Sequence, residues 1–340
     1  MELYGGIDLH STNSTVSIVT GTSGGLKEIN QKRLDNDIGL VLKLLEPYRG
    51  DLVGVAVEST YNWYWLVDGL MEADYRAHLV HTSAVPQYKG KKHRKDRHDA
   101  RQIAELLAIG KLPEGYIYPK EDRPFRDLCR RRAFLMGKRT SLLHSMRGTF
   151  ESWTGHRPTR SELVTWTEED LEPYLEDPRT RLAISCLMGP VREMSKQVEI
   201  IEDLLRKDAK LREEFKLLET VWGIGTVLAL TVMYEVGDIS RFPKAGNFVS
   251  YSRLTDSSYL SNGKRKGKGN VKNGNPHLSW AFSEAAHFAN QHRPAARRFC
   301  QRKKAAKNGI VANRALAAKL ARASFYVLRD KVEFDPGKLF

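Results

Sequence analysis

Cysteine is scarce in this sequence. The 340 residues contain three, Cys129, Cys186 and Cys300. They are odd in number and far apart, with no C-x-x-C pair and no Cys/His zinc spacing, so neither a disulfide framework nor a thiolate metal site is expected. Long apolar runs are missing too: nowhere do 18 apolar residues follow one another, which leaves no candidate for a membrane-spanning helix. Met1 to Asp8 lacks the basic-then-apolar order of a secretion signal. These absences lead us to expect a cytoplasmic, reducing location and no membrane partner.

What is abundant is positive charge, and it is unevenly spread. The formal net charge is +14. Residues 1–85 carry −5, residues 86–160 carry +11, residues 161–220 carry −6 and residues 221–340 carry +14. Two basic blocks separated by an acidic one are the pattern of two nucleic-acid surfaces joined by a different kind of element.

The first block alternates strand and helix signals. Leu3 to Leu9 and Thr15 to Thr20 read as a hairpin, with Lys27 to Arg33 as a third strand. Ile38, Val41, Leu42 and Leu45 mark a helix. Leu52 to Val57 is a strongly apolar strand ending at Glu58, Tyr61 to Ala73 reads as a helix, and Ala77 to His81 as a strand. The order β-β-β-α-β-α-β suits an RNase H-like domain among other α/β folds. Val85 to His98 reads as an exposed loop. Ala100, Ile103, Ala104, Leu107 and Ala108 then lie at helical spacing, and a long basic helix is expected over Phe125 to Phe150.

In the acidic block Val191, Met194, Val198, Ile201 and Leu205 form a heptad-like run with Pro190 expected in the first turn, suiting a helical hairpin or a dimer seam. The last block opens with Trp222-Gly223-Ile224-Gly225 before an apolar helix. A loop is expected from Gly246 to Asn275, then a helix from Pro276 and a final one over Ala312 to Asp330.

Four acids stand at strand or helix ends: Asp8 after the first strand, Glu58 after the most apolar one, and Asp96 and Asp99 at the start of a helix. Converging carboxylates at strand ends can hold Mg²⁺ for phosphodiester chemistry. Asp96 as a helix cap, Asp99 as a first-turn acid and Asp8 as a turn residue are the plainer alternatives. Between Ser257 and Asn275 glycines alternate with Lys264, Arg265, Lys266, Lys268 and Lys272, a composition fit for gripping a phosphate backbone. Ser261 sits beside it, either a nucleophile or one of several turn serines. Gly223 and Gly225 are similar to a helix-hairpin-helix turn that offers backbone N–H groups to a phosphate, or else form a plain tight turn between core helices.

Taken in order, Gly-Ile-Asp8, Val-Glu58-Ser-Thr-Tyr, Lys-Asp96-Arg-His-Asp99-Ala, Gly-Ile-Gly at 223–225, Phe-Pro-Lys-Ala-Gly-Asn-Phe at 242–248, Tyr-Leu-Ser261-Asn-Gly and Lys-Asn-Gly-Asn-Pro-His-Leu at 272–278 resemble the DEDD-type transposases of bacterial insertion sequences, the insertion sequence one-hundred-ten family. The resemblance implies a RuvC-like catalytic domain of RNase H fold over 1–155 with Asp8, Glu58, Asp96 and Asp99 as Mg²⁺ ligands. It implies a helical linker or coiled coil over 156–218 and a mostly helical transposase domain over 219–340 with Ser261 as nucleophile. Ser257 and Ser258 are rivals because the sequence departs from the family pattern nearby. A covalent phosphoserine intermediate, target and donor DNA, a structured non-coding guide (bridge) RNA, a homodimer or homotetramer, and a place in the bacterial cytosol or nucleoid are further implications. A Holliday-junction endonuclease of RuvC type and a non-catalytic nucleic-acid-binding protein are the alternatives.

Overall fold

The computed structural model describes residues 1–22, 25–81, 84–85, 96–255, 258–261, 264–268 and 273–340. The chain forms two compact units, Met1–Lys120 and Glu121–Phe340.

The first unit is a mixed α/β layer structure. Its strands are β1 (Leu3–Leu9), β2 (Asn13–Thr22), β3 (Gly25–Asp35), β4 (Leu52–Glu58) and β5 (Ala77–Val80). They lie in the order β3-β2-β1-β4-β5; β1, β2 and β3 pair antiparallel, while β4 joins β1 and β5 in parallel. The parallel steps are bridged by α1 (Ile38–Leu45) and α2 (Tyr64–Glu72), as parallel neighbours require a crossover. Asp37 caps α1 by accepting from Leu40 N at 3.0 Å.

Strand alternation sorts the core onto two faces. Leu3, Ile7, Leu9, Val55 and Val57 point to one side, where Val41, Leu45, Leu66, Val67 and Leu70 of α1 and α2 bury them. The opposite face carries Gly6 and Ala56 and is covered by α3 (Asp96–Ala108), whose Ile103 and Leu106 pack with Ala56, Val80 and Val85. The closest approach is at Gly6. A Cβ there would lie 2.2 Å from Ala100 O and 2.7 Å from Ala104 N, so strand and helix meet backbone to backbone. This unit has the five-stranded sheet expected of an RNase H-like domain.

The second unit is mostly helical. Two 32-residue helices, α4 (Arg123–Thr154) and α6 (Pro178–Ala209), pack along each other. Cys129 of α4 shares a core cluster with Ile201 and Leu205, while Leu143, Met146 and Phe150 share another with Ile184, Met188 and Val191. Early residues of one helix thus face late residues of the other, and the pair is an antiparallel hairpin about 48 Å long. The short α5 (Arg160–Thr165) lies between them in sequence and opens with a Thr159–Glu162 capping box. Val191, Val198, Ile201 and Leu205 are buried, so the heptad-like stripe seats the hairpin of this chain.

Pro190 does not start α6. It sits mid-helix, twelve residues after the first-turn Pro178. Its exposed position leaves the Cys186 carbonyl, whose N–H partner the proline lacks, on the solvent side, where water can satisfy it.

The remaining helices build the main core: α7 (Glu213–Thr220), α8 (Thr226–Val236), α9 (Ala245–Tyr251), α10 (Pro276–His292), α11 (Pro294–Ala306) and α12 (Gly309–Asp330). Phe248, Phe282, Leu316, Leu320 and Phe325 are all nearly fully buried. The span 246–275, expected as a loop, begins with α9, because Ala245, Phe248 and Val249 present one short apolar stripe to that core. It continues into an antiparallel hairpin of β6 (Ser258–Ser261) and β7 (Lys264–Lys268). Among the described residues no helix is long and apolar enough to cross a membrane.

Candidate functional site

The carboxyl ends of β1 and β4 bring two of the sequence-nominated acids together. Ile7 pairs with Val57 in the parallel ladder, so Asp8 and Glu58 are the next residues on adjacent strands. Ile7 and Val57 face α1 and α2; one step further, alternation turns Asp8 and Glu58 to the face that α3 covers. Asp99 lies in the first turn of α3, one residue before Ala100, the residue whose carbonyl meets Gly6. Gly6 is about 7 Å along β1 from Asp8. Asp99 is half-buried and its Oδ1 is shielded from solvent. Asp96 is the first residue of α3; its side chain lies outside the described residues.

The loops beyond these strand ends are tied down. The His10 carbonyl accepts from Asn36 Nδ2 at 2.9 Å and from Asn62 Nδ2 at 3.1 Å, and the His10 amide donates to Asn13 O at 2.9 Å. Thr60 Oγ1 donates to Asn62 Oδ1 at 2.8 Å. The segments following β1, β3 and β4 therefore converge on one carbonyl, stiffening the rim outside the carboxyl ends of parallel strands, where open α/β sheets bind ligands. No motif in the sequence marks Asn36 or Asn62; Asn is a common loop residue, and their partner is a backbone atom.

Asp8 is 2% exposed, and its ion-pair contact among the described residues is His10 Nε2 at 3.4 Å, a group charged only when protonated. A carboxylate that buried is stabilised by a cation. Together with Glu58 and Asp99 on the same face, it offers hard oxygen donors of the kind Mg²⁺ prefers. Among the described residues no three His, Cys, Asp or Glu side chains are already gathered around one point at ligand distance. The donor chemistry fits a divalent ion.

In the second unit Ser261 ends β6, with its backbone paired to Lys264 at the start of β7. Arg265, Lys266 and Lys268 follow on β7. The side chains of both strands, and Lys272 altogether, lie outside the described residues. Gly223 adopts φ +78°, and a Cβ there would lie 2.0 Å from Ala285 O. This glycine lets the turn between α7 and α8 seat on the backbone of α10, while Gly225 takes the N-cap position of α8.

Comparison with known proteins bears on both units. Residues 5–153 match the DEDD transposase profile of the IS110 group, and residues 215–301 match the profile described as Transposase IS116/IS110/IS902 family. The chain belongs to the IS110 family of DEDD transposases. Similar proteins include the transposase for insertion sequence element IS1111A of Coxiella burnetii (strain RSA 493 / Nine Mile phase I), 25% identical over 230 residues, 66% of this chain. The chain spans 62% of that relative's length. The putative transposase y4qE of Sinorhizobium fredii (strain NBRC 101917 / NGR234) is 21% identical over 294 residues, covering 84% of this chain and 71% of its own.

This IS110-family chain also holds a buried charge cluster that its sequence did not advertise. Glu235, on the otherwise apolar α8, is 1% exposed. Arg130 donates to both its oxygens, at 2.6 Å from Nε and 3.0 Å from Nη2. Arg126 Nε adds a bond at 3.2 Å and Asn275 Nδ2 another at 2.7 Å. Burial alone would raise the Glu235 carboxyl; Arg130, Arg126 and Asn275 outweigh it and hold it below the ordinary carboxylate range. Asn275 also caps α10, accepting from His277 N and Leu278 N at 2.9 and 3.2 Å. Burial pushes the His277 imidazole down and the Cys129 thiol up to about 12, Glu235 adding to the latter. Arg126 and Arg130, one helical turn apart on α4, were the available signal. Their partner is 105 to 109 residues away in sequence.

Proposed function

We propose that this chain is the transposase of an insertion sequence, a metal-dependent DNA recombinase that cuts and rejoins phosphodiester bonds. The observation that carries the reading is the position of Asp8 and Glu58, each one residue beyond the paired Ile7 and Val57 at the ends of adjacent central strands, on the face that α3 covers. Membership of the IS110 family supports it. In functional terms the proposal assigns 1–155 to a RuvC-like catalytic domain with RNase H-like topology, 156–218 to a helical linker, and 219–340 to a transposase domain whose Gly223–Gly225 turn is of helix-hairpin-helix type.

Asp8, Glu58, Asp96 and Asp99 would hold Mg²⁺. Bound there, the ion would polarise the scissile phosphate and neutralise charge on its oxygens. The Asn36–His10–Asn62 clasp keeps the acids in place. Lys264, Arg265, Lys266, Lys268 and Lys272 neutralise the flanking phosphates. The Ser261 hydroxyl attacks phosphorus: the Oγ–P bond forms, the P–O3′ bond breaks, and the serine proton passes by way of a base to the departing 3′ oxygen, which leaves as a hydroxyl. A 3′-hydroxyl then attacks the phosphoserine, re-forming P–O3′ and releasing the serine. Bond energy is conserved in the covalent intermediate, so no nucleotide hydrolysis is needed. Two DNA segments, a structured guide RNA and a homodimer or homotetramer complete the proposal.

The test is adduct formation on suicide DNA substrates. Ser261→Ala is expected to abolish the covalent adduct and leave DNA binding intact, whereas Ser257→Ala and Ser258→Ala retain it. Adducts that persist in Ser261→Ala would rule out this serine. Strand cleavage that continues without adducts would make water the nucleophile, as in a junction nuclease. An Asp8→Ala, Glu58→Ala double variant that still recombines DNA would sink the metal site.

A further inference from the structure

We propose that a polar hollow between α10, α11 and the start of α12 takes up a single unpaired nucleotide of DNA. The proposal rests on the reading that this chain acts on DNA, but not on the chemistry assigned to Ser261.

The surroundings set the charge of the guest. Between Glu284 and Asp330 the sequence has no Asp or Glu and eleven Lys or Arg. Residues 301–310, the end of α11 and the entry to α12, are all exposed. A one-signed stretch of this kind attracts a phosphate backbone, whatever its sequence.

The hollow itself sets the shape and chemistry. Its volume, about 570 Å³, falls within the range of small-ligand pockets, roughly 300–1,000 Å³. Asn290, Gln291, Gln301, Asn313 and Lys304 line its walls, with the buried Cys300 and Ala312 among them. No carboxylate lines it. Amides both donate and accept, as base edges do, whereas a purely electrostatic phosphate site would hold cations alone. A duplex groove is read by a convex element such as a helix; a concave pocket suits a base turned out of the stack, read on its hydrogen-bonding edge. His287 and Arg297 complete the lining, an imidazole and a guanidinium, both planar groups on which a turned-out base can stack.

The hollow is pre-formed. Arg297 donates to the Asn290 and Gln291 carbonyls at the end of α10, fixing the corner into α11. Asn313 Nδ2 donates to Ser283 O at 3.1 Å, fixing α12 against α10. Pro276, just after the basic segment, lies about 20 Å along α10 from Asn290.

The experiment is fluorescence anisotropy on the full chain in metal-free buffer at fixed salt, comparing a duplex DNA with one unpaired base, the same duplex fully paired, and the corresponding RNA with an unpaired base. The wild-type protein is expected to prefer the unpaired-base DNA about 10-fold, the discrimination one good base contact gives. Gln301→Ala, which changes no charge, and Gln301→Trp, which fills the hollow, should each erase that preference and leave paired-duplex binding within about 2-fold. Lys303→Ala, on the same helix but outside the lining, should weaken both DNAs alike. No wild-type preference, a preference untouched by either Gln301 variant, or tighter binding of the RNA would overturn the proposal. Anisotropy requires no strand cleavage, so loss of the Ser261 mechanism would leave this result standing, and the reverse holds too.

Discussion

Among the described residues each unit buries one carboxylate almost completely, and the two are treated in opposite ways. Glu235, 1% exposed, is matched by two guanidinium groups and an amide. Asp8, 2% exposed, has an imidazole at 3.4 Å as its ion-pair contact among the described residues. Burying charge is unfavourable unless fixed partners compensate. The first acid is therefore part of the scaffold: it joins α4, α8 and the start of α10. In the proposed mechanism the second is held for a cation that arrives from solution.

The contrast is most exposed to a pair of substitutions. Glu235→Ala leaves two guanidinium groups facing each other in a partly buried site and is expected to destabilise the protein by about 3 kcal/mol, the lower end for breaking a buried pair because Arg130 can relax toward water. Asp8→Asn should change stability by less than about 1 kcal/mol while eliminating recombination, since it removes a poorly compensated charge. Denaturant unfolding of the two variants decides it; equal destabilisation would erase the distinction.

Divalent metal sharpens the same comparison. Mg²⁺ at 100 times its dissociation constant should stabilise the wild-type chain by about 2.7 kcal/mol through linkage. Thermal unfolding with and without Mg²⁺ should show the same gain in Glu235→Gln, added to a lower baseline, and not in Asp8→Asn.

Smaller effects should appear at the edge of the scaffold cluster. Asn275→Ala removes both a cap of α10 and one bond to Glu235, and a loss of about 1–2 kcal/mol is expected. Acid provides the mildest probe. The folded Glu235 carboxyl titrates below its unfolded value near 4.5, so its stabilising contribution is fully present above that value and is lost as pH falls through the lower folded one. Wild-type and Glu235→Gln unfolding free energies should therefore draw together below about pH 4.5; curves that stay parallel down to acid unfolding would contradict the assigned direction.

Much of the first unit was readable from residue order alone. The apolar run at 52–57, the Gly-Ile-Asp8 strand and the helical spacing of Ala100, Ile103 and Ala104 all report local periodicity, and each element appears where that periodicity puts it. In sequence α9 reads as loop because its stripe is three residues long and sits among glycine and serine; its stability comes from Phe282 and Phe325 far along the chain. Pro190 departs from its local signal for a related reason: proline marks a helix start by local chemistry, yet packing against α4 carries α6 through it. The Glu235 cluster and the Asn36–His10–Asn62 clasp depend on partners that only the tertiary fold brings near, and no local pattern encodes them.

The backbone contact at Gly6 gives that residue an influence out of proportion to its size. With no side chain on Gly6 to hold β1 away from α3, the helix has little room at that point to slide or roll. The azimuth of Asp99 is thereby keyed to the main chain of the strand that carries Asp8. A single methyl group added at Gly6 would displace the helix and swing one acid away from the other. If the proposed metal site is right, such a lesion would look like the loss of one of its acids at a position that has no functional group to lose.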